Sequence, residues 1–427
     1  MKRRNLAPAM LLLGLCSPGL ALATNGYFSH GYGVKSQGIA GIGIALPQDG
    51  LAAATNPAGT AWIGDRADVG VTWFRPNRGA EIKGNDLGPY GSLDGHYDGN
   101  GTRNFIIPEL GYVKQLGPQW AAGVAVYGNG GMNTDYGNNP FARLGGTGPA
   151  GINLEQLFVS PSLAYKLNDS HAIGLALNLA YQRFEAKGIQ PFTQASASPG
   201  NVTNRGTDSS TGWGARIGYT GKLTPALTVG ATYATKTRMG NLDKYKGLFA
   251  EDGGFDVPAN FGIGLAWQAS KALTLAADVQ RIELSDIKSV GNPIANLLAG
   301  NPLGSSNGGG FGWRDVTVVK IGAAYDLTDD WTIRGGYSHA TQPVPSSQTF
   351  FNILAPGIVQ DHLSLGASLK QGKDGELSIA YTHAFKTTVN GSGSIPPGSP
   401  LAGGFGGGEA NLHMFEDIFA IAYGWKY

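Results

Sequence analysis

The sequence predicts an all-β fold: a transmembrane antiparallel β-barrel of about fourteen strands with an N-terminal hatch, or plug, in its lumen. Three observations predict it. Apolar and small or polar residues alternate with a period of two through most of the chain. Short and long connections between these runs alternate without a break. The composition is unusual: charged residues are 14%, aromatics 10% and Gly 68 of 427, against a typical ~25% charged and ~7% Gly. That aromatic content and 42% hydrophobic residues argue against disorder. A single Cys excludes a disulfide framework. A formal charge of +1 gives no electrostatic reason to expect nucleic acid as a partner.

Residues 1–23 read as an export signal. Lys2, Arg3 and Arg4 precede the apolar run Leu6 to Leu15, and Ala21-Leu22-Ala23 has the small-x-small form of a cleavage site. The apolar run is too short for a bilayer span. Cys16 follows Leu15, a poor match to a lipoprotein site. No other segment is long and apolar enough for a membrane helix, so any crossing of the membrane falls to strands.

The expected strands follow in order. Residues 67–75 set Val69, Val71 and Trp73 against Asp68, Gly70 and Thr72. Residues 105–116 carry Ile106, Leu110 and Tyr112, and 119–129 carry Trp120, Ala122, Val124 and Val126. Residues 154–167 and 171–184 follow with Leu157, Val159, Leu163, Leu175, Leu177 and Leu179. Residues 212–223 and 226–237 bring Trp213, Ile217, Val229 and Tyr233. Residues 257–268 and 271–283 bring Ile263, Leu265, Leu275 and Val279. Runs at 314–326, 330–340, 360–370 and 375–386 continue through Val319, Ile321, Ile333, Leu365 and Ile379. The last, 416–427, alternates Phe419, Ile421, Tyr423, Trp425 and Tyr427. The apolar set ends in Trp or Tyr, as a lipid-facing band with aromatic girdles does.

Connections at Gly117-Pro118, Asn168-Asp169, Thr224-Pro225, Ser270-Lys271, Thr328-Asp329 and Gly372-Lys373 are turn sequences. Those at about 76–104, 129–153, 185–211, 238–256, 284–313, 341–359 and 387–415 are long. Outer-membrane barrels have short periplasmic turns and long external loops. An even strand count leaves both barrel ends in the periplasm, and closure pairs every backbone group, as lipid demands. Residues 67–427 are therefore assigned to the barrel of a multi-pass protein in a Gram-negative outer membrane. Outer-membrane lipid, lipopolysaccharide and the barrel-assembly machinery are its expected partners.

Residues 24–66 do not alternate. They are small-residue-rich and moderately apolar, including Gly38 to Ala45 and Leu51 to Gly59. Starting from the periplasmic side, this stretch is placed to fold into the lumen as the hatch. It contains Asn56-Pro57-Ala58. Further blocks are Phe255-Asp256-Val257-Pro258-Ala259-Asn260-Phe261, Trp313-Arg314-Asp315, Arg334-Gly335-Gly336-Tyr337-Ser338 and Gln342-Pro343-Val344-Pro345. With these blocks in this order, essentially the whole mature chain resembles the FadL/TodX outer-membrane transporters of long-chain fatty acids and aromatic hydrocarbons.

The resemblance implies a function and a mechanism. The ligand is a hydrophobic small molecule, fatty acid or aromatic hydrocarbon, captured among the external loops. It passes to a site above the hatch, whose shift opens a path to a gap in the wall at an inward kink of the third strand. Release is sideways into the outer leaflet, which spares a greasy molecule a water-filled pore. Asn56, Pro57 and Ala58 match the hatch signature and are the gating candidates. Gly128, Gly130 and Gly131 end the third strand and are the lateral-opening candidates, because glycine permits a bend and plugs no gap. Leu242, Leu248 and Phe249 in one loop, and Leu297 and Leu298 in another, are ligand-binding candidates as apolar loop residues. Arg216, Lys320 and Arg334 face the lumen by parity, as does Asp278. The cations suit a carboxylate ligand or pair with each other or the hatch.

Enzymatic motifs are weak. There is no His-Glu-x-x-His. Gly146, Gly148 and Gly151 match a dinucleotide spacing in a loop that contains Pro149. An echo of a calcium loop at Asp98 to Glu109 has Arg103 where glycine is needed. The histidines show no ligand spacing, so no cofactor or metal is expected. A general diffusion porin and an outer-membrane barrel hydrolase remain as alternatives.

Overall fold

The computed structural model describes residues 25–399 and 404–427, so the expected export signal, residues 1–23, lies outside the described residues. The sheet contains fourteen long strands. They are β1 Arg66–Lys83, β2 Phe105–Gln115, β3 Trp120–Asn133, β4 Gly151–Lys166, β5 His171–Lys187, β6 Asp208–Thr224 and β7 Leu227–Ala234. Then come β8 Asn260–Gln268, β9 Leu273–Ile282, β10 Val316–Asp326, β11 Trp331–Ala340, β12 Asp361–Gln371, β13 Gly375–Val389 and β14 Glu409–Lys426. Each pairs antiparallel with the next, and β14 pairs with β1 from Arg66↔Lys426 to Lys83↔Glu409, which closes the barrel. Two short strands, Gly95–Asp98 and Arg238–Met239, fold back on β1 and β6.

All six turn sequences join the strands expected on either side of them. Along β5, Ile173, Leu175, Leu177 and Leu179 are exposed while Ala172, Ala176 and Ala180 are buried. This inverts the burial of a soluble sandwich and is what lipid contact requires. Trp120, Trp267, Trp331 and Trp425 stand exposed near the turn end, and Trp213, Tyr181, Tyr233 and Tyr337 toward the loop end. The chain is an outer-membrane barrel with one aromatic girdle at each interface.

Several strands outrun the expectation at the loop end. β1 continues to Lys83 and β14 begins at Glu409. These extensions carry Arg78, Glu81, Lys83, Asn411 and His413, so their alternation is polar and stands above the hydrocarbon.

Residues 25–65 lie inside the cylinder and are almost wholly buried. Their short elements are α1 Val34–Gln37, α2 Ala52–Thr55 and a 3-10 helix, Pro57–Trp62. Above them the long loops pack on one another around Phe141, Phe184, Phe192, Tyr245, Phe249, Phe255, Trp313 and Phe350.

Candidate functional site: the lumen, the loop cavity and the wall

The N-terminal segment is held by inward-facing side chains from around the cylinder. On β1 and β2, Gly50 N donates to Asp68 (2.8 Å), and Gly33 N and Val34 N donate to Glu109 (3.2 and 3.0 Å). Lys35 pairs with Glu376 on β13 (2.5 Å), which also takes Arg66 (3.2 Å). Within the segment, burial and the nearby Asp68 push the Asp49 carboxyl up to about 6.

The candidate cations all reach this segment. Arg216 on β6 donates to the Thr55 carbonyl (3.2 Å) and to Asn260 (3.4 Å). Lys320 on β10 donates to the carbonyls of His30 (3.1 Å) and Gly41 (3.0 Å). Arg334 on β11 donates to Gln48 Oε1 (3.0 Å) and Ser368 (2.7 Å). Asp278 on β9 accepts from Gly43 N (2.9 Å) and Ile44 N (3.1 Å). Parity gave these side chains their direction; Arg216, Lys320 and Asp278 meet backbone groups of residues 30–55, and Arg334 meets the Gln48 side chain.

Asn56-Pro57-Ala58 forms a compact start to the 3-10 helix. Asn56 Oδ1 accepts from Ala58 N (3.1 Å), the capping geometry that satisfies an otherwise orphaned donor. Pro57 stands where a missing N–H costs nothing. Asn56 Nδ2 then donates to the Ile44 carbonyl (2.7 Å) and to the Tyr219 carbonyl of β6 (3.0 Å). One side chain thus caps a helix, ties two loops of the N-terminal segment together and fastens both to the wall. Ala58 is fully buried, and Gly174 of β5 packs on the Pro57-Ala58 backbone where a Cβ would overlap it.

The third strand departs from its neighbour. β2 and β3 pair only from Leu110↔Val126 to Gln115↔Ala121. β2 continues to pair with β1 as far as Phe105, and β3 with β4 as far as Asn133, with a register shift between Gly128 and Gly130. Phe105 to Glu109 and Tyr127 to Asn133 are therefore adjacent strand edges without a ladder between them. The inner side of β3 bonds instead to the N-terminal segment. Ser29 N donates to the Asn129 carbonyl (2.8 Å), Gly131 N donates to the Tyr27 carbonyl (3.0 Å), and Phe28 bridges Gly130. Gly128, Gly130 and Gly131 thus lie in the strand, at a bulge. A Cβ on Gly130 would overlap the Tyr27 carbonyl.

The loop candidates divide. Leu242 and Phe249 are buried, Leu248 and Leu297 pack partly buried against the loop core, and Leu298 is exposed. Leu248 and Phe249 line a small apolar cavity of about 40 Å³ with Phe184, Phe192, Phe311 and Phe351. Sequence reasoning missed Phe184, Phe192, Phe311 and Phe351; the first follows from strand parity, and the others carry no periodic signal. From this cavity a chain of ring contacts runs through Phe249–Phe255 (4.9 Å), Phe255–Tyr27 (5.9 Å) and Tyr27–Trp313 (6.0 Å). Tyr27 is the residue whose carbonyl bonds β3.

Residues 20–394 match the family described as outer membrane protein transport protein (OMPP1/FadL/TodX). A long-chain fatty acid transport protein of Escherichia coli (strain K12) is 24% identical over 334 residues, covering 66% of this chain and 72% of that protein. Two solved structures share the fold. A Pseudomonas aeruginosa FadL homologue has a TM-score of 0.71 at 19% identity, covering 94% of this chain and 99% of that one. The Pseudomonas putida toluene transporter TodX has a TM-score of 0.69 at 19% identity, covering 93% and 99%. With its closed barrel, lipid-facing exterior and a family match that runs from the N-terminal segment through thirteen strands, the chain belongs to the OMPP1/FadL/TodX family of outer-membrane transport proteins.

Proposed function

We propose that this protein takes up hydrophobic compounds, such as long-chain fatty acids or aromatic hydrocarbons, and releases them sideways through its wall. The observation that carries the reading is the missing β2–β3 ladder above Leu110↔Val126, where β3 bonds to residues 27–29 instead. A ligand enters the phenyl-lined loop cavity at Leu248 and Phe249, where burying its apolar surface supplies the binding energy. Rearrangement there reaches Tyr27 through Phe255 and Trp313. When Tyr27 leaves Gly131, the unpaired edges of β2 and β3 become the exit. Residues 24–66 are the hatch in this scheme, Asn56-Pro57-Ala58 its anchor and Gly128, Gly130 and Gly131 the flexible wall. The relatives support the substrate class, since they include a long-chain fatty acid transporter and a toluene transporter.

In this reading the protein is a transporter without a catalytic role, sited among outer-membrane lipid and lipopolysaccharide and inserted by the barrel-assembly machinery. A diffusion porin needs an open bore, whereas here the inward-facing Asp68, Glu109, Arg216, Asp278 and Lys320 are bonded to residues 30–55. Uptake by proteoliposomes tests the proposal. Labelled oleate or toluene should accumulate in a saturable manner while small sugars do not. Size-limited sugar permeation with no hydrophobic uptake would overturn it.

A further inference from the structure

Above the Leu110↔Val126 pair the edges of β2 and β3 run without a ladder, and above that stretch the chain joins again. Gly101 N donates to the Asp135 carbonyl and Asp135 N to the Gly99 carbonyl (3.0 Å each). Thr102 Oγ1 donates to the Asp135 carboxylate (3.2 Å). The unpaired stretch is therefore a window closed above and below. Its upper corner is spanned by Arg78, an inward-facing residue of β1 that is fully buried. The guanidinium donates to the Thr102 carbonyl on the β2 side (2.7 Å) and to the Asn133 carbonyl on the β3 side (2.9 Å). It also meets Asn133 Oδ1, the Pro76 carbonyl (3.3 Å) and Asn100 Oδ1 (3.5 Å). All of these acceptors are neutral.

A carboxyl group without a partner lies beside this joint. Glu416 of β14 faces inward and is fully buried, and neither of its carboxyl oxygens has a hydrogen bond among the described residues. Arg78 stands opposite Met414, and Glu416 stands opposite Pro76. Arg78 and Glu416 are thus diagonal neighbours on one face of the sheet, a separation that long side chains bridge. Glu416 lies on the turn side of Arg78. A buried carboxyl group with no hydrogen bond is destabilising whether it is charged or neutral. A guanidinium and a carboxylate make a stronger, bidentate pair than either makes with a neutral oxygen. The pairing missing from this state therefore belongs to another. Asn133 is fixed from its far side, since it donates to Asn153 Oδ1 (3.0 Å), whose amide donates to Glu155 (2.8 Å). The arginine is the part free to move.

We propose that Arg78 is the bolt of the lateral exit and that Glu416 is the group it withdraws to. In the closed state the guanidinium ties Thr102 to Asn133. In the open state it turns toward Glu416 and takes both carboxylate oxygens, which frees the upper corner of the window as Tyr27 leaves Gly131 below. The bolt deepens the lateral-release reading and rests on it. Arg78 and Glu416 are positioning residues, acting on the exit rather than on the ligand.

Uptake of labelled oleate by proteoliposomes, with hydrogen exchange on the same full-length proteins, tests the bolt. Glu416→Gln keeps the shape of the side chain and removes its charge. It should lower the maximal rate about tenfold, the weight of one charge-assisted hydrogen bond, and leave the half-saturation concentration unchanged. Glu416→Asp should recover most of that rate. Arg78→Met removes the bolt, so adding Glu416→Gln to it should slow uptake no further. Without substrate, exchange at the Gly101 and Asp135 amides should accelerate in Arg78→Met and keep the wild-type rate in Glu416→Gln, because Glu416 has no partner in the closed state. Heat-modifiable migration on gels reports that each variant is folded. A Glu416→Gln protein as fast as wild type would overturn the proposal. So would additive losses in the double variant, or faster exchange in Glu416→Gln, since either makes the carboxyl group a part of the closed fold. Wild type that takes up no oleate sinks the lateral-release reading itself, whereas failure of the bolt alone leaves wild-type uptake intact.

Discussion

Asp278 and Lys320 stand opposite each other on β9 and β10, yet each spends its hydrogen bonds on the hatch rather than on the other. The carboxylate takes Gly43 N and Ile44 N, and the ammonium takes the carbonyls of His30 and Gly41. A buried pair of opposite charge thus grips both polarities of one backbone loop, which fixes residues 41–44 more firmly than a neutral contact would.

Breaking this grip should loosen the hatch without unfolding the barrel. Asp278→Asn or Lys320→Met should each cost about 1.5–3 kcal/mol of local stability, the range for hydrogen bonds to charged groups. Hydrogen exchange at Gly43 and Ile44 should accelerate, and single-channel conductance should rise. Unchanged exchange in both variants would refute a clamping role.

Gly130 should be intolerant for a reason that lies in the hatch rather than in the wall. A side chain there would overlap the Tyr27 carbonyl, so Gly130→Val should displace residues 27–29 and leave the β3 edge unpaired. Ion leak should increase while fold and membrane insertion persist. A variant as tight as wild type would show that residues 27–29 do not seal the wall.

Movement of the hatch is directly testable by tethering. Gly218 on β6 faces Asn56, with an added Cβ 2.9 Å from the Asn56 side-chain carbon, within the reach of a disulfide. The only native cysteine, Cys16, lies in the expected export signal. Asn56→Cys with Gly218→Cys should transport when reduced and stop when oxidised. Full uptake in the oxidised form would exclude hatch displacement at this point.

Filling the loop cavity should compete with ligand. Leu248→Trp or Phe311→Trp should raise the half-saturation concentration for a hydrophobic substrate several-fold with the maximal rate less affected. A change confined to the maximal rate would place binding elsewhere.

Much of this architecture was legible because it follows from period and punctuation. The turns at Gly117-Pro118 and Thr328-Asp329 carry residues that cannot continue a strand. Strand parity pointed Arg216, Asp278 and Lys320 inward, which lipid on the other face enforces. The loop-end extensions of β1 and β14 were not legible, because above the hydrocarbon nothing demands an apolar alternation. Gly128 to Gly131 read as the end of a strand, since glycine carries no burial signal. Their pairing with Tyr27 and Ser29 spans a sequence separation of about a hundred residues that no local pattern encodes. Glu109 stood out in the sequence only as the end of the discounted calcium-loop echo. Its role, accepting from the two backbone amides Gly33 and Val34, depends on a segment far away in the chain.

The bonds from Tyr27 and Ser29 to β3 have an implication for natural variation. In the proposed scheme stopper and side door share the same few backbone atoms, so a substitution that frees one frees the other. Selection for faster passage and selection against leakage therefore act on a single hinge point, and a change elsewhere in the loops must compensate whenever that point drifts.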